Sequence, residues 1–322
     1  MGDVMRVALG QFNQLSDQIL RFAKQLGVGG VLLNTPLLPG DKRWEYRDIL
    51  RLRAEVEEYG LRLEAIENVP LRFYDQAMLG LPARDEQIEN YQATVRHLAR
   101  AGVKVLGYHF MPNSVWRTSF MTPTRGGALA TSFDLDLVRD APLSHGRVFD
   151  DDEMWRNYAY FMKAILPVAE EMGVTLALHP DDPPVESIAG VARLFRGFEG
   201  FRRAMEDVAP SPNHGLDFCM GCWSEMGGAI PPMKYFAERG KITYVHFRDV
   251  QGVIPKFNEC FIGDGNTDTV EAMLTLKRAG FTGFMIDDHV PKMVDDSDWN
   301  HRGRAHATGY MLGLLAAIEK LG

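Results

Sequence analysis

Four short, mostly apolar runs in the second half of the chain each end on a side chain that can bind a metal or move a proton. They are Val174-Thr175-Leu176-Ala177-Leu178-His179, His214-Gly215-Leu216-Asp217-Phe218-Cys219, Ile242-Thr243-Tyr244-Val245-His246 and Gly283-Phe284-Met285-Ile286-Asp287-Asp288-His289. Short runs of this composition read as buried strands. Imidazole, thiolate and carboxylate together suit a borderline divalent cation such as Mn, Co, Zn or Fe(II). A single strand-end histidine is more often a hydrogen-bonded structural residue, and a lone buried cysteine a small hydrophobe. Four such residues on four successive strand ends read instead as one shared site, with His179, Cys219, His246 and Asp288 holding one divalent ion.

The elements that must position them alternate along the chain. Strands are expected at 6–12, 31–34, 61–67, 103–111, 174–179, 214–219, 242–247 and 284–288. Helical spacing appears at 16–26, 44–59, 85–100, 151–172, 198–208, 232–239, 268–279 and 306–321, with glycines ending most of these segments. Eight strands alternating with eight helices is the pattern of a (β/α)8 TIM barrel, whose strand C-termini face one mouth where chemistry is placed. The proposed ligands lie 40, 27 and 42 residues apart, near the roughly 31 residues per unit of a barrel of about 250. The rival, an open doubly wound sheet, would want a Gly-rich turn after the first strand, and Gly10-Gln11-Phe12-Asn13 is not one. A single catalytic domain is expected over 1–322, with an insertion at about 112–150. That stretch is rich in Thr, Ser, Gly and Arg and shows no clear period, so it reads as a lid or binding loop that orders over the mouth.

Composition narrows the function classes. A net charge of −8 speaks against a nucleic-acid or anionic-membrane surface. No apolar run is long enough to span a bilayer, and the N-terminus shows no secretory pattern. Three cysteines in 322 residues are no disulfide framework, so a reducing cytoplasm is expected. A small-molecule ligand remains, and a homo-oligomer is compatible with these features.

Further polar groups fall at the same mouth. Glu67 closes the third strand, His109 lies near the end of the fourth, and Trp116 and Arg117 stand just beyond it. Asp181 follows His179, and Arg248 follows His246, where its fork of donors would suit a carboxylate. The alternative for each is a solvated loop residue. Cys219-Met220-Gly221-Cys222 has the spacing of a redox pair, but a strand runs into Cys219, and no second pair completes a structural zinc site. Cys219 is read as a ligand and Cys222 as its neighbour.

These residues carry a resemblance. Glu67-Asn68-Val69-Pro70, Ile88-Glu89-Asn90-Tyr91, Tyr108-His109-Phe110-Met111-Pro112 and Trp116-Arg117-Thr118 begin an ordered series. His179-Pro180-Asp181-Asp182-Pro183-Pro184, the most specific piece, continues it with His246-Phe247-Arg248-Asp249, Gly263-Asp264, Asp288-His289 and Gly309-Tyr310. The chain resembles the mannonate dehydratases, metal-dependent sugar-acid lyases whose barrel is similar to that of xylose isomerases. The resemblance implies the same four metal ligands with Mn as the usual ion, and acid/base groups at His289 and Tyr310. It implies conversion of D-mannonate to 2-keto-3-deoxy-D-gluconate and water in hexuronate breakdown. His109 stands where the family resembles Asn, Cys222 where a Ser is expected, and Val290-Pro291-Lys292 replaces a Gly and more polar residues. These departures bear on which aldonate is the substrate.

Two other readings are open: a metal-dependent sugar isomerase or epimerase on the same barrel, and a barrel that binds a sugar acid without turning it over. One geometric demand is specific to the dehydratase. Successive strand side chains point to opposite faces, so Asp288 and His289 can share the mouth only if the strand ends there and the backbone turns.

Overall fold

In the computed structural model, which describes residues 4–321, the first strand is broken at Ala8. The strands are β1 (Arg6–Val7), β2 (Leu9–Phe12), β3 (Gly30–Leu33), β4 (Arg62–Ile66), β5 (Val105–Tyr108), β6 (Ser119–Pro123), β7 (Leu129–Asp134), β8 (Thr175–Leu178), β9 (Ser187–Ile188), β10 (Val191–Ala192), β11 (His214–Cys219), β12 (Ile242–His246), β13 (Val250–Val253), β14 (Lys256–Glu259) and β15 (Phe284–Ile286). The α-helices are α1 (Asp17–Leu26), α2 (Tyr46–Glu58), α3 (Asp75–Leu79), α4 (Arg84–Arg100), α5 (Asp151–Met172), α6 (Phe198–Arg202), α7 (Met220–Glu225), α8 (Ile230–Ala237), α9 (Thr269–Arg278) and α10 (His301–Leu321). β1 pairs in parallel with β15, while β2 pairs with β3. Ala8 N donates to Met285 O at 2.9 Å, so the parallel sheet closes on itself. The expected (β/α)8 barrel is present.

Strand alternation divides the core in two. Val7, Leu9, Val31, Leu33, Val245 and Met285 pack outward against the helices. Their neighbours Ala8, Leu32, Tyr244, Phe284 and Ile286 form a separate inner cluster with Ala65 and Ala177. The small alanines leave room for Tyr244, which stacks on Phe284 with ring centroids 5.0 Å apart. A Cβ on Gly107 would lie 2.4 Å from the Tyr244 hydroxyl, so a glycine is required opposite that ring. This apolar plug fills the barrel below the mouth.

Several helices carry the caps that the sequence offers. Ser16, Asp150 and Asp268 accept hydrogen bonds from first-turn amides of α1, α5 and α9, and Gly27 and Gly173 adopt the left-handed C-cap. α10 begins at His301, earlier than the periodicity from 306 suggests. Cys219 closes β11, and α7 starts at once on Met220.

The insertion is not the aperiodic loop expected. β6 and β7 form an antiparallel hairpin inside it, and β7 pairs with β14 from a second hairpin after the seventh barrel strand. The result is a four-stranded sheet, ordered β13-β14-β7-β6. Phe133, Val250 and Phe257 pack beneath it against Val185 and Ile188, with Trp116 at the margin. Each strand is too short to display a period, and β14 lies far along the chain from its partner. Among the described residues no helix is long and apolar enough to cross a membrane.

Candidate active site and metal centre

His179 immediately follows β8, Cys219 and His246 end β11 and β12, and Asp288 lies two residues past β15. Cys219 and His246 are register partners, as are His246 and Ile286. The four side chains each offer one donor atom, and these atoms lie within 4.8 Å of one another. Cys219, His246 and Asp288 are fully or almost fully buried.

Hydrogen bonds fix which nitrogen of each imidazole faces the cluster. His179 Nδ1 donates to Pro180 O at 2.7 Å, which leaves Nε2 for the cluster. His246 does the reverse. Its Nε2 stands 3.2 Å from both Glu67 Oε2 and Asp217 Oδ2, so that nitrogen carries the proton. Its Nδ1 is buried without a hydrogen bond, 3.4 Å from Asp288 Oδ2. A carboxylate behind an imidazole is the usual means of orienting a histidine toward a metal.

The electrostatics agree. Burial opposes ionisation of Cys219, but Cys222, Arg248 and the two imidazoles hold its thiol well below the usual range. Burial also disfavours a charged His179, yet Asp217 and Cys219 outweigh it and raise the imidazole to about 10. His246 is raised for the same reason, by Asp217, Asp288 and Glu67. The cluster therefore concentrates negative charge around two imidazoles, which would release protons as a cation takes their place. A thiolate, a carboxylate and two imidazoles fit a borderline divalent cation.

Beside this cluster lies a cavity of about 240 Å³, lined by Gln11, Asn34, Glu67, His109, Asp182 and His289 among others. It is smaller than the roughly 300–1,000 Å³ of drug-sized sites and suits a monosaccharide-sized ligand. Asp288 and His289 both line it. β15 ends at Ile286, and Asp288 takes φ 53°, a left-handed conformation that turns the backbone. The shared mouth that strand alternation would forbid is made by this one residue.

Glu67 gathers amides around one wall. It accepts from Gln11 Nε2 at 2.8 Å and Asn34 Nδ2 at 2.9 Å. His109 Nδ1 accepts from Met111 N at 3.2 Å, so its proton sits on Nε2. Burial, with help from His179 and Arg193, lowers His109 to about 3 and keeps it neutral.

Other expected residues lie elsewhere. Arg248 is buried, and protein acids take up its donors. Nε bonds Asp288 at 2.7 Å, Nη1 bonds Glu225 at 3.1 Å, and Nη2 bonds Asp182 at 2.9 Å. A Cβ on Gly221 would clash with this guanidinium, so the start of α7 must be bare. Arg117 clasps Asp182 through two bonds of 2.5 and 2.7 Å and reaches Glu259 at 2.8 Å. Neither arginine lines the cavity. Asp181 accepts from Phe195 N beneath the wall. Trp116 donates to Asn113 O and packs at the margin of the small sheet. Tyr310 does not line the cavity either. It sits on α10, in the outer helix layer, with its hydroxyl 2.7 Å from Thr269 Oγ1 at the start of α9. Gly263 leaves room for that phenol, so it points between elements and not into the cavity.

Sequence reasoning missed Asp217, the amides Gln11 and Asn34, and Glu259. Glu259 Oε1 lies 2.6 Å from His289 Nδ1. The two short runs 250–253 and 256–259, around Ile254-Pro255, were the available sign of the hairpin that carries it.

Comparison with known proteins shows what this arrangement belongs with. The family model for D-mannonate dehydratase (UxuA) matches residues 5–148 and 142–322. The chain is 33% identical to the mannonate dehydratase of Thermotoga maritima over 345 aligned positions, covering 95% of this chain and 94% of that one. It is 30% identical to mannonate dehydratase 2 of Halalkalibacterium halodurans, covering 98% and 100%. The crystal structure of mannonate dehydratase from Streptococcus suis serotype 2 superposes with a TM-score of 0.90 at 29% identity, covering 98% of this chain and 94% of that one. An L-ribulose 3-epimerase structure, at 18% identity and a TM-score of 0.63, shares the fold.

Proposed function

Because the chain belongs to the D-mannonate dehydratase family, we propose that it is a metal-dependent hydro-lyase converting D-mannonate to 2-keto-3-deoxy-D-gluconate and water. One observation carries the reading for these residues: His179, Cys219, His246 and Asp288 converge beside a monosaccharide-sized cavity that His289 also lines. We assign these four as the ligands of a single ion, manganese, within one catalytic domain. Three free, buried cysteines favour action in a reducing cytoplasm, and the product suits hexuronate breakdown.

A divalent ion in this cluster supplies Lewis-acid polarisation that acidifies the C2 proton and stabilises charge developing on the substrate carboxylate. The chain supplies the rest. Gln11, Asn34, Asn68 and the Nε2–H of His109 orient hydroxyl and carboxylate oxygens. Among the described residues no Lys or Arg lines the cavity, so the chain offers neutral donors to the substrate anion. His289 Nε2 takes the proton from C2. The same proton then leaves with the C3 hydroxyl as water, and the resulting enol tautomerises, losing its C2 hydroxyl proton as C3 gains one, to the 2-keto-3-deoxy acid. One water is released per mannonate, with no redox change.

The test is an aldonate panel. Manganese-loaded protein should form a 2-keto acid from D-mannonate, detected as its semicarbazone. Failure on every aldonate, with interconversion of neutral ketoses instead, would establish the epimerase reading.

A further inference from the structure

We infer that Glu259, on the second hairpin of the four-stranded sheet, is a positioning residue for His289. The inference rests on the reading of His289 as the proton-transfer group. Glu259 Oε1 lies 2.6 Å from His289 Nδ1, so that nitrogen carries the hydrogen and donates it. The carboxylate is almost fully buried, with its side chain 6% exposed, and is held from behind. Arg117 Nη2 bonds it at 2.8 Å, and Arg248 Nη1 stands at 3.4 Å. Arg117 is itself locked on Asp182 by two bonds. A carboxylate fixed from two sides leaves the imidazole one orientation. Its Nε2, 3.6 Å from Asp288 Oδ1, is then the nitrogen available for proton transfer. A buried carboxylate on the far nitrogen selects the tautomer and stabilises the imidazolium that forms when Nε2 accepts a proton.

The arrangement also explains the sheet. Glu259 is the last residue of β14, and β14 is held by β7 from the insertion. Arg117, just before β6, stacks its guanidinium 5.2 Å from the Phe257 ring. Both insertions thus meet at the residue behind His289. On this view they act as a buttress for the acid/base group.

The rival is a structural role, in which Glu259 only neutralises Arg117 and Arg248. A double-mutant cycle separates the two on manganese-loaded enzyme with D-mannonate. Glu259→Gln should lower kcat by roughly 10–100-fold, with KM, metal content and melting temperature close to parental. In a His289→Asn background the same change should add nothing, because its target is gone. Parental kcat in Glu259→Gln, or the same loss in both backgrounds, overturns the positioning role. Parental turnover in His289→Asn alone would instead overturn the assignment of His289. A second measurement does not depend on the Glu259 variant folding. In zinc-loaded, 15N-histidine-labelled protein, the His289 signal, assigned by its disappearance in His289→Asn, should show the Nδ1–H tautomer. An Nε2–H tautomer refutes the proposal.

Discussion

Asp288 answers to two demands at once, one of backbone and one of charge. Its left-handed φ of 53° is tolerated by Asp and Asn far better than by most residues. Asp288→Asn should therefore keep the turn and the fold but bind metal poorly. Elemental analysis after loading should show depleted ion at a near-parental melting temperature, and full retention of metal would remove Asp288 from the ligand set. His289→Asn should keep the ion and lower turnover by roughly 10²–10⁴-fold; a folded, loaded variant with parental turnover would exclude His289. Tyr310→Phe should lose only the bond to Thr269, about 1 kcal/mol of stability, and retain kcat. A collapse of kcat would return Tyr310 to the mechanism. His179, Cys219 and His246 were readable because each terminates an apolar run, and the barrel converts that position into convergence. The placement of Tyr310 beside Thr269 was not readable, because a local match such as Gly309-Tyr310 does not say which way a helix faces. Asp217 was hidden inside a run that looks purely structural.

At the scale of elements, β11 carries a second consequence at its other end. His214 Nδ1 donates to Ala209 O at 2.9 Å, so its Nε2 accepts from the Tyr108 hydroxyl at 2.8 Å. The second contact requires neutral imidazole, since a protonated Nε2 cannot accept, and burial lowers His214 to about 4. An unfolded chain binds that proton near pH 6.5. Below 6.5 acid therefore favours the unfolded state, until the native site also protonates near 4. Across that window the group should cost on the order of 3 kcal/mol of stability. His214→Asn should flatten this part of the stability–pH curve, and an unchanged slope would refute the account. The small sheet gives another expectation. Phe257→Ala empties a fully buried position against Phe133 and should cost roughly 3–5 kcal/mol locally. Turnover should fall while far-UV circular dichroism shows the barrel intact. The small sheet was hard to read because its strands are four to six residues long and the two hairpins join across more than a hundred positions, through β7 and β14.

The whole molecule was legible for a simpler reason. Helix-stopping glycines and apolar runs recur at a spacing that a closed parallel barrel accommodates, and the described structure follows it from β1 to α10. The metal should tie this architecture together, since its proposed ligands come from four different strand ends. Chelation should lower the melting temperature, and manganese at 100 times its dissociation constant should add about 2.7 kcal/mol. An unchanged melting temperature would mean that the ion is not bound there. The docked sheet divides the molecule unequally. Eight strands close the barrel, but Glu259 is delivered by a hairpin that joins the small sheet through β7 and packs over one small apolar cluster. Partial opening of such a satellite is less demanding than global unfolding. On warming, catalysis should fade reversibly below the main calorimetric transition. Backbone amides of β6, β7, β13 and β14 should exchange with deuterium before those of the barrel, making this enzyme's activity a thermometer for its least stable part.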